Sequence, residues 1–345
     1  MAKLLSFWTT YWFPKSSVAY LAVYRIAAVG IQLFLLIRND TFYTTTIRRL
    51  TSVPDSDYDP IVVIRLMHFL LGADFRPSAD ILMAVYVVTF VAGLLAFIGL
   101  RTNLSLFVFA LGNLYMTGYW YSLLPIHHPE ALMTIALFSL ALSPSGKALS
   151  LDALWRRHQI SFKGIRDEIS NAIHETSSFA RWPLLLMMWL LSVMYLDAAL
   201  SKLGRGGIEW LNGYTLQYVL LEDGLAKNSE LGVLLGQQHT LALWLSWITM
   251  IFEGTFFTTL IFPVLALIYI PLGIGLHAGM CVTGIACFWQ YLALYLVFLP
   301  AFAIWIPKLL SLPRRLVTAN KMTSDKGDIR GRRAAAPPVG GAGSG

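Results

Sequence analysis

The chain has 345 residues, of which 57% are hydrophobic and only 13% charged, with a formal net charge of +7. Soluble domains carry about 25% charged residues, so the composition excludes an ordinary soluble protein and points to an all-α polytopic membrane protein. The excess of Lys and Arg calls for no nucleic acid, because membrane proteins gather these residues in cytoplasmic loops. The two cysteines, Cys281 and Cys287, share one apolar segment and indicate no disulfide framework.

The first residues, MAKLLSFWTTYWFPK, have neither the long apolar core nor the small-residue cleavage site of a signal peptide. With Trp8, Trp12 and Phe13 at headgroup level, 1–15 reads as an interfacial helix. Apolar runs of about 20 residues mark helical spans. They fall at 18–37, 79–100, 104–124, 129–143, 182–203, 240–262, 264–286 and 288–307, giving eight spans in a transmembrane domain of residues 16–310. The segment 61–72 is too short to span, and Arg65 and His68 suit an interfacial or re-entrant helix. The connection 203–239 is long and carries Trp210, Tyr214 and Tyr218, which fits a segment folded onto the outer face. The tail 311–345 is polar and rich in Gly, Ala and Pro, a composition expected to be disordered.

Loop charge orients the spans. Lys147, Arg156, Arg157, Lys163, Arg166 and Arg181 lie between the fourth and fifth, and a further basic cluster follows the last. Both regions belong in the cytoplasm, and an even number of spans places both termini there. Arg48 and Arg49, in an outer loop, are the discordant pair. A bacterial cytoplasmic membrane is the expected location, or the endoplasmic reticulum membrane in a eukaryote.

Ionisable groups inside spans cost a few kcal/mol each, roughly 2.5–3.5 on insertion scales, and so mark function or pairing. Lys202 closes the fifth span, where scarce water would favour a neutral amine able to act as a base. The competing reading is a lysine that snorkels to the headgroups. Tyr195 shares its helix face. His127 and His128 lie at the outer junction of spans three and four, and His277 lies in the outer part of span seven. These histidines read equally well as packing or turn residues. Arg25 and Glu253 have matching depths from the cytoplasmic side, which predicts a structural Arg25–Glu253 ion pair, with Asp197 as an alternative partner for Arg25. No candidate has a second His or carboxylate at helical ligand spacing, so no metal is expected. Phosphate-binding glycine motifs, nucleophile elbows and zinc-protease motifs are missing from the sequence.

Five stretches, in order, resemble one family: YLAVYRIAAVGIQLFLL with Arg25, HHPEALMTIALFSLALSPSGKALSLDAL, YLDAALSKLGRGGIEWLNGYTL, ITMIFEGTFF with Glu253, and LGIGLHAGMCVTGIACFWQYLALYLVFLP with His277. Together they resemble the HTTM domain, the membrane part of the vitamin K-dependent γ-glutamyl carboxylases, over nearly all of 18–307. The resemblance implies Lys202 as the base toward a reduced quinone, with His128 and His277 linked to the same site. Tyr195, Trp210 and Tyr214 are then expected to line the cofactor pocket. It implies a reduced vitamin K or menaquinone-like quinol as cofactor, oxygen and carbon dioxide as co-substrates, and a peptide or protein glutamate as substrate. The carboxylases continue into a large lumenal domain used for substrate recognition, whereas this chain ends soon after its last span, so the resemblance implies fold and pocket more than substrate. Membrane lipid is the other expected partner. A non-enzymatic partner in the maturation or export of a small secreted peptide is the alternative. A transporter would call for an inverted repeat, and none is evident.

Overall fold

The computed structural model describes residues 2–38, 47, 51–72, 76–123, 128–157, 162–308 and 310–311. The helices are α1 (Ala2–Trp12), α2 (Val18–Arg38), α3 (Val62–Leu71), α4 (Ala79–Ile98), α5 (Thr102–Tyr121), α6 (His128–Ala141), α7 (Leu151–Arg156), α8 (Phe162–Ala172) and α9 (Trp182–Gly206), then α10 (Tyr214–Ala226), α11 (Glu230–Gly236), α12 (His239–Thr255), α13 (Thr258–Ile261), α14 (Ala266–Val282) and α15 (Gln290–Leu294). The described residues hold one two-stranded pair, β1 (Ser16–Ser17) antiparallel to β2 (Thr176–Ser177). The all-α expectation is met. The chain divides into two compact units, Met1–Leu299 and Pro300–Gly345. In the second, Lys308 Nζ lies 4.6 Å from the centre of the Trp305 ring. The proposed tail beyond 311, and Arg48 and Arg49, lie outside the described residues.

Five helical stretches are long and apolar enough to cross a membrane: Val18–Arg38, Ala79–Ile98, Trp182–Asn212, Pro263–Val282 and Gln290–Lys308. Helices also occupy the other three places read as spans, but each falls short in length or hydropathy. The sixth run, read as 240–262, breaks after Thr255, and α13 resumes at Thr258. The apolar side chains are arranged inside out. On α4, Ile81, Val87, Val88 and Val91 are each about half exposed, as lipid-facing residues are, while Leu82 and Ala96 are fully buried.

Helix α2 forms the centre of the first unit, packing on α4, α6 and α15. Small residues set the closest approaches. A Cβ on Gly112 of α5 would sit 1.9 Å from Thr89 Oγ1 of α4, so only glycine lets these two helices meet. The segment 61–72 forms helix α3, on which Phe69, Leu70 and Leu71 are exposed while Ile64 and His68 are buried. Its His68 Nε2 lies 3.1 Å from Tyr115 Oη on α5. Serines cap several helix starts. Ser150 Oγ accepts from Ala153 N–H at 2.9 Å and Ser229 Oγ from Gly232 N–H at 3.1 Å, each satisfying an amide left over in a first turn.

Arg25 is fully buried, and the structure corrects its predicted partner. Its guanidinium donates to the carbonyls of Ser145 at 2.9 Å and Leu149 at 2.5 Å, in the turn that follows α6. The five fixed donors of arginine suit a turn that presents several carbonyls at once. Arg25 therefore fastens this turn to α2 and makes no ion pair with Glu253. Asp197, the alternative partner, is exposed on α9.

Cys281 and Cys287 are joined in a disulfide, which also corrects the sequence reading. The closed loop is held against the α10–α11 hairpin. Lys227 Nζ donates to Ile285 O at 2.7 Å and Ser229 Oγ to Val282 O at 2.8 Å. Gly232 approaches Thr283 O so closely that a Cβ would lie 2.3 Å from it. The long connection after α9 is thus a folded hairpin clamped to the end of α14.

Candidate functional site

Helices α9, α12 and α14, with the segment 290–298, bring Lys202, Glu253, Tyr195, His277 and Tyr295 together. Lys202 Nζ donates to Glu253 Oε2 at 2.5 Å. The Lys202 side chain is 26% exposed and that of Glu253 9%, so the lysine forms the open side of the pair. The Trp210 ring covers the ammonium at 5.4 Å from its centre. Trp210 can do this because the 3₁₀ turn Gly207–Asn212 folds back directly after α9.

The sequence reading placed Glu253 deep and Lys202 at the outer edge. Packing brings them to one level, because Gly254 of α12 faces Ala199 of α9, with a Cβ at Gly254 only 3.8 Å from the alanine methyl. Helix α12 starts at His239, about four turns before Glu253. Its first turns rise past the end of α9 and pack on the 3₁₀ turn and α10. Depth counted from the ends of hydropathy runs misses this stagger.

A second cluster adjoins the pair. Tyr195, about two turns before Lys202 on the same helix, is 3% exposed. Its Oη lies 2.8 Å from His277 Nε2 and is also hydrogen-bonded to Tyr295 Oη. The His277 imidazole stacks on Tyr291 with ring centres 3.9 Å apart. Tyr291 Oη donates to Met194 Sδ at 2.7 Å. Phe252 of α12 and Phe256, just past its end, close on the Tyr195 ring at 5.1 and 4.7 Å. The aromatic walls and the ion pair therefore share the α9–α12 interface. His277 Nδ1 is buried with no hydrogen-bond partner. Such an atom is costly unless something else satisfies it.

Among the sequence-nominated residues, the structure gathers Lys202, Tyr195, His277 and Trp210. Tyr214 does not join them: it is 63% exposed and stacks on His239 at 4.2 Å. His128 begins α6, but its side chain, like all of His127, lies outside the described residues. Sequence reasoning missed Tyr291 and Tyr295, although their spacing of four residues in QYLALYLVF puts both hydroxyls on one helical face. It also missed Glu130, which accepts from Tyr121 Oη at 3.0 Å and from Gln290 Nε2 at 3.4 Å. No group of His, Cys, Asp and Glu suited to a metal ion occurs among the described residues.

The side chains of the cluster have the chemistry that a flat aromatic ligand carrying hydroxyls would use. Stacked rings line the cluster, an acid–base pair is adjacent, and one buried imidazole nitrogen awaits a partner. No protein-family model, curated protein or solved structure matches the chain.

Proposed function

We propose that this chain is an eight-span membrane protein with both termini in the cytoplasm, and that it uses Lys202 and Glu253 for acid–base chemistry on a reduced quinone. In this reading it modifies a peptide or protein at the outer face by carboxylase-type chemistry. The observation that carries the reading is the ion pair of Lys202 with the buried Glu253, set on the same helix as Tyr195 and its hydrogen bonds to His277 and Tyr295. In this reading Lys202 is the base and Glu253 its buried partner. His277, through Nδ1, would hold a ligand hydroxyl, and Tyr195 and Tyr291 would orient it. When bound, a reduced quinone would supply the oxygen-dependent basicity that removing a glutamate γ-proton requires.

The orientation has two supports. Basic loops favour the α6–α9 connection in the cytoplasm. The Cys281–Cys287 bond then falls on the opposite face, where an oxidising environment preserves it. The helix α1, with Phe7 and Trp8 exposed, lies at the inner headgroup level in this reading.

Incorporation of labelled bicarbonate into a glutamate-containing peptide, by purified protein in nanodiscs with reduced vitamin K, tests the reading. Quinone-dependent incorporation supports it, and none with any reduced quinone rejects it.

One observation favours a second, non-enzymatic reading. An open groove of about 630 Å³ lies beside the disulfide loop, lined by Lys227, Ser229, Glu230 and Cys287. A groove of mixed polarity suits a partner for a small secreted peptide, bound without chemistry.

A further inference from the structure

Helix α8 takes no part in the proposed chemistry, yet it presents the least expected surface in the α6–α9 connection. One side is fastened to the bundle. Glu168, 3% exposed, is bonded to Arg157 at 2.5 Å and accepts from Leu149 N–H at 3.2 Å. The Ala172 carbonyl accepts from Ser17 Oγ at 3.2 Å, and Glu175 O accepts from Val18 N–H at 3.0 Å. The middle of the helix thus touches the turn after α6, and its end touches the start of α2. Both points are at the ends of spans, so α8 runs across the bundle end and not along it.

The opposite side is apolar and open. Ile165, Ile169 and Ile173 follow at four-residue intervals and are 46%, 55% and 63% exposed. Lys163 and Arg166 are exposed beside them. Trp155 at 63% and Phe179 at 58%, before and after the helix, are also exposed. An apolar stripe flanked by cations, held at the level where spans begin, matches an in-plane helix in an anionic leaflet.

We propose that α8 is such a helix: its isoleucines enter the inner leaflet, and Lys163 and Arg166 meet anionic phospholipid headgroups. The inference rests on the membrane orientation proposed above and not on the quinone chemistry. The occupant is lipid because the charges beside the stripe are positive and α8 is continuous with two span entries.

Spin labels on single cysteines at Ile165, Ile169 and Ile173 test it, with the full chain in nanodiscs of phosphatidylcholine and phosphatidylglycerol. The two native cysteines are bonded to each other, so each introduced thiol labels alone. Labels at Val88, on the lipid face of α4, and at Ser170 serve as references. The proposal expects a several-fold higher ratio of oxygen to nickel-complex accessibility at the three isoleucine positions than at Ser170, with Val88 also high. Nickel accessibility at Ile165, Ile169 and Ile173 equal to that at Ser170 would overturn it. So would shielding from both reagents, which would mean a protein partner or a second copy on this face. A Val88 label open to nickel would instead overturn the membrane reading itself.

Discussion

Lys202 and Glu253, separated by fifty-one positions in the chain, meet at 2.5 Å across the α9–α12 interface. This pair replaces the expected partnership of Glu253 with Arg25, and it changes what each charge does. Arg25 is a fastener for a turn, whereas Glu253 is the buried partner of the lysine. Removing one partner of a buried pair leaves the other uncompensated, at a cost of about 3 kcal/mol. Lys202→Met should therefore destabilise the protein by about that amount, and Lys202→Met with Glu253→Gln by clearly less. Unfolding in detergent, read as a double-mutant cycle, checks this. Additive effects would mean that the two side chains are not coupled.

Arg25→Met should loosen the 142–150 turn, since the Ser145 and Leu149 carbonyls lose their donors. The expected cost is about 3 kcal/mol, given that hydrogen bonds to charged groups contribute roughly 1.5–3 kcal/mol each. Limited proteolysis should show new cleavage in this turn in the variant and none in the parent chain.

How much of this was legible in the sequence depends on the kind of signal. Long apolar runs place helices well, because burial in lipid and helix length are local properties; α2, α4 and α9 begin within a residue of their expected starts. Lys202, Tyr195 and His277 were also readable, since charged and polar groups stand out in apolar runs. Pairing was not. Arg25 and Glu253 were matched by depth, but depth depends on how helices stagger, and the rise of α12 beyond the end of α9 is set by the folded 207–238 segment. The Cys281–Cys287 bond was missed because both cysteines lie in one apolar run, whereas the backbone leaves the helix at Val282 and turns back through Gly284, at φ 84°.

Asp152 provides a pH-dependent test outside the membrane spans. Burial alone would raise its carboxyl, but the Thr102 amide and hydroxyl, the Arg101 amide and the Arg156 charge together hold it below the ordinary 3.8. A depressed folded-state value contributes stability that is present above the unfolded value and is lost as pH falls through the folded one. Melting temperature should therefore drop below about pH 4, and Asp152→Asn should flatten that part of the profile while lowering stability at neutral pH. An unchanged acid limb in the variant would contradict the assignment.

The disulfide gives a direct reading of orientation. After reduction, an impermeant maleimide added to intact cells should label Cys281 and Cys287 without lysis. Labelling that requires lysis would place the α10–α11 hairpin in the cytoplasm and reverse the topology.

Tyr195→Phe keeps the ring packing against Phe252 and Phe256 but removes the hydroxyl shared with His277 and Tyr295. Quinone-dependent turnover should fall by about 10²-fold, the lower range for a positioned proton-transfer group, at a cost in stability of about 1–3 kcal/mol for the buried partners left unsatisfied. Full turnover would confine the cluster to a packing role.

The most direct measurement is oxygen-dependent consumption of a reduced quinone by the protein in nanodiscs, comparing the parent chain with Lys202→Met and the double variant Lys202→Met, Glu253→Gln. The double variant is expected to lose clearly less stability than Lys202→Met and still lacks the amine, so it separates folding from chemistry. The account predicts a loss of about 10²–10⁴-fold in both variants. Consumption at the parent rate by a folded double variant would contradict it.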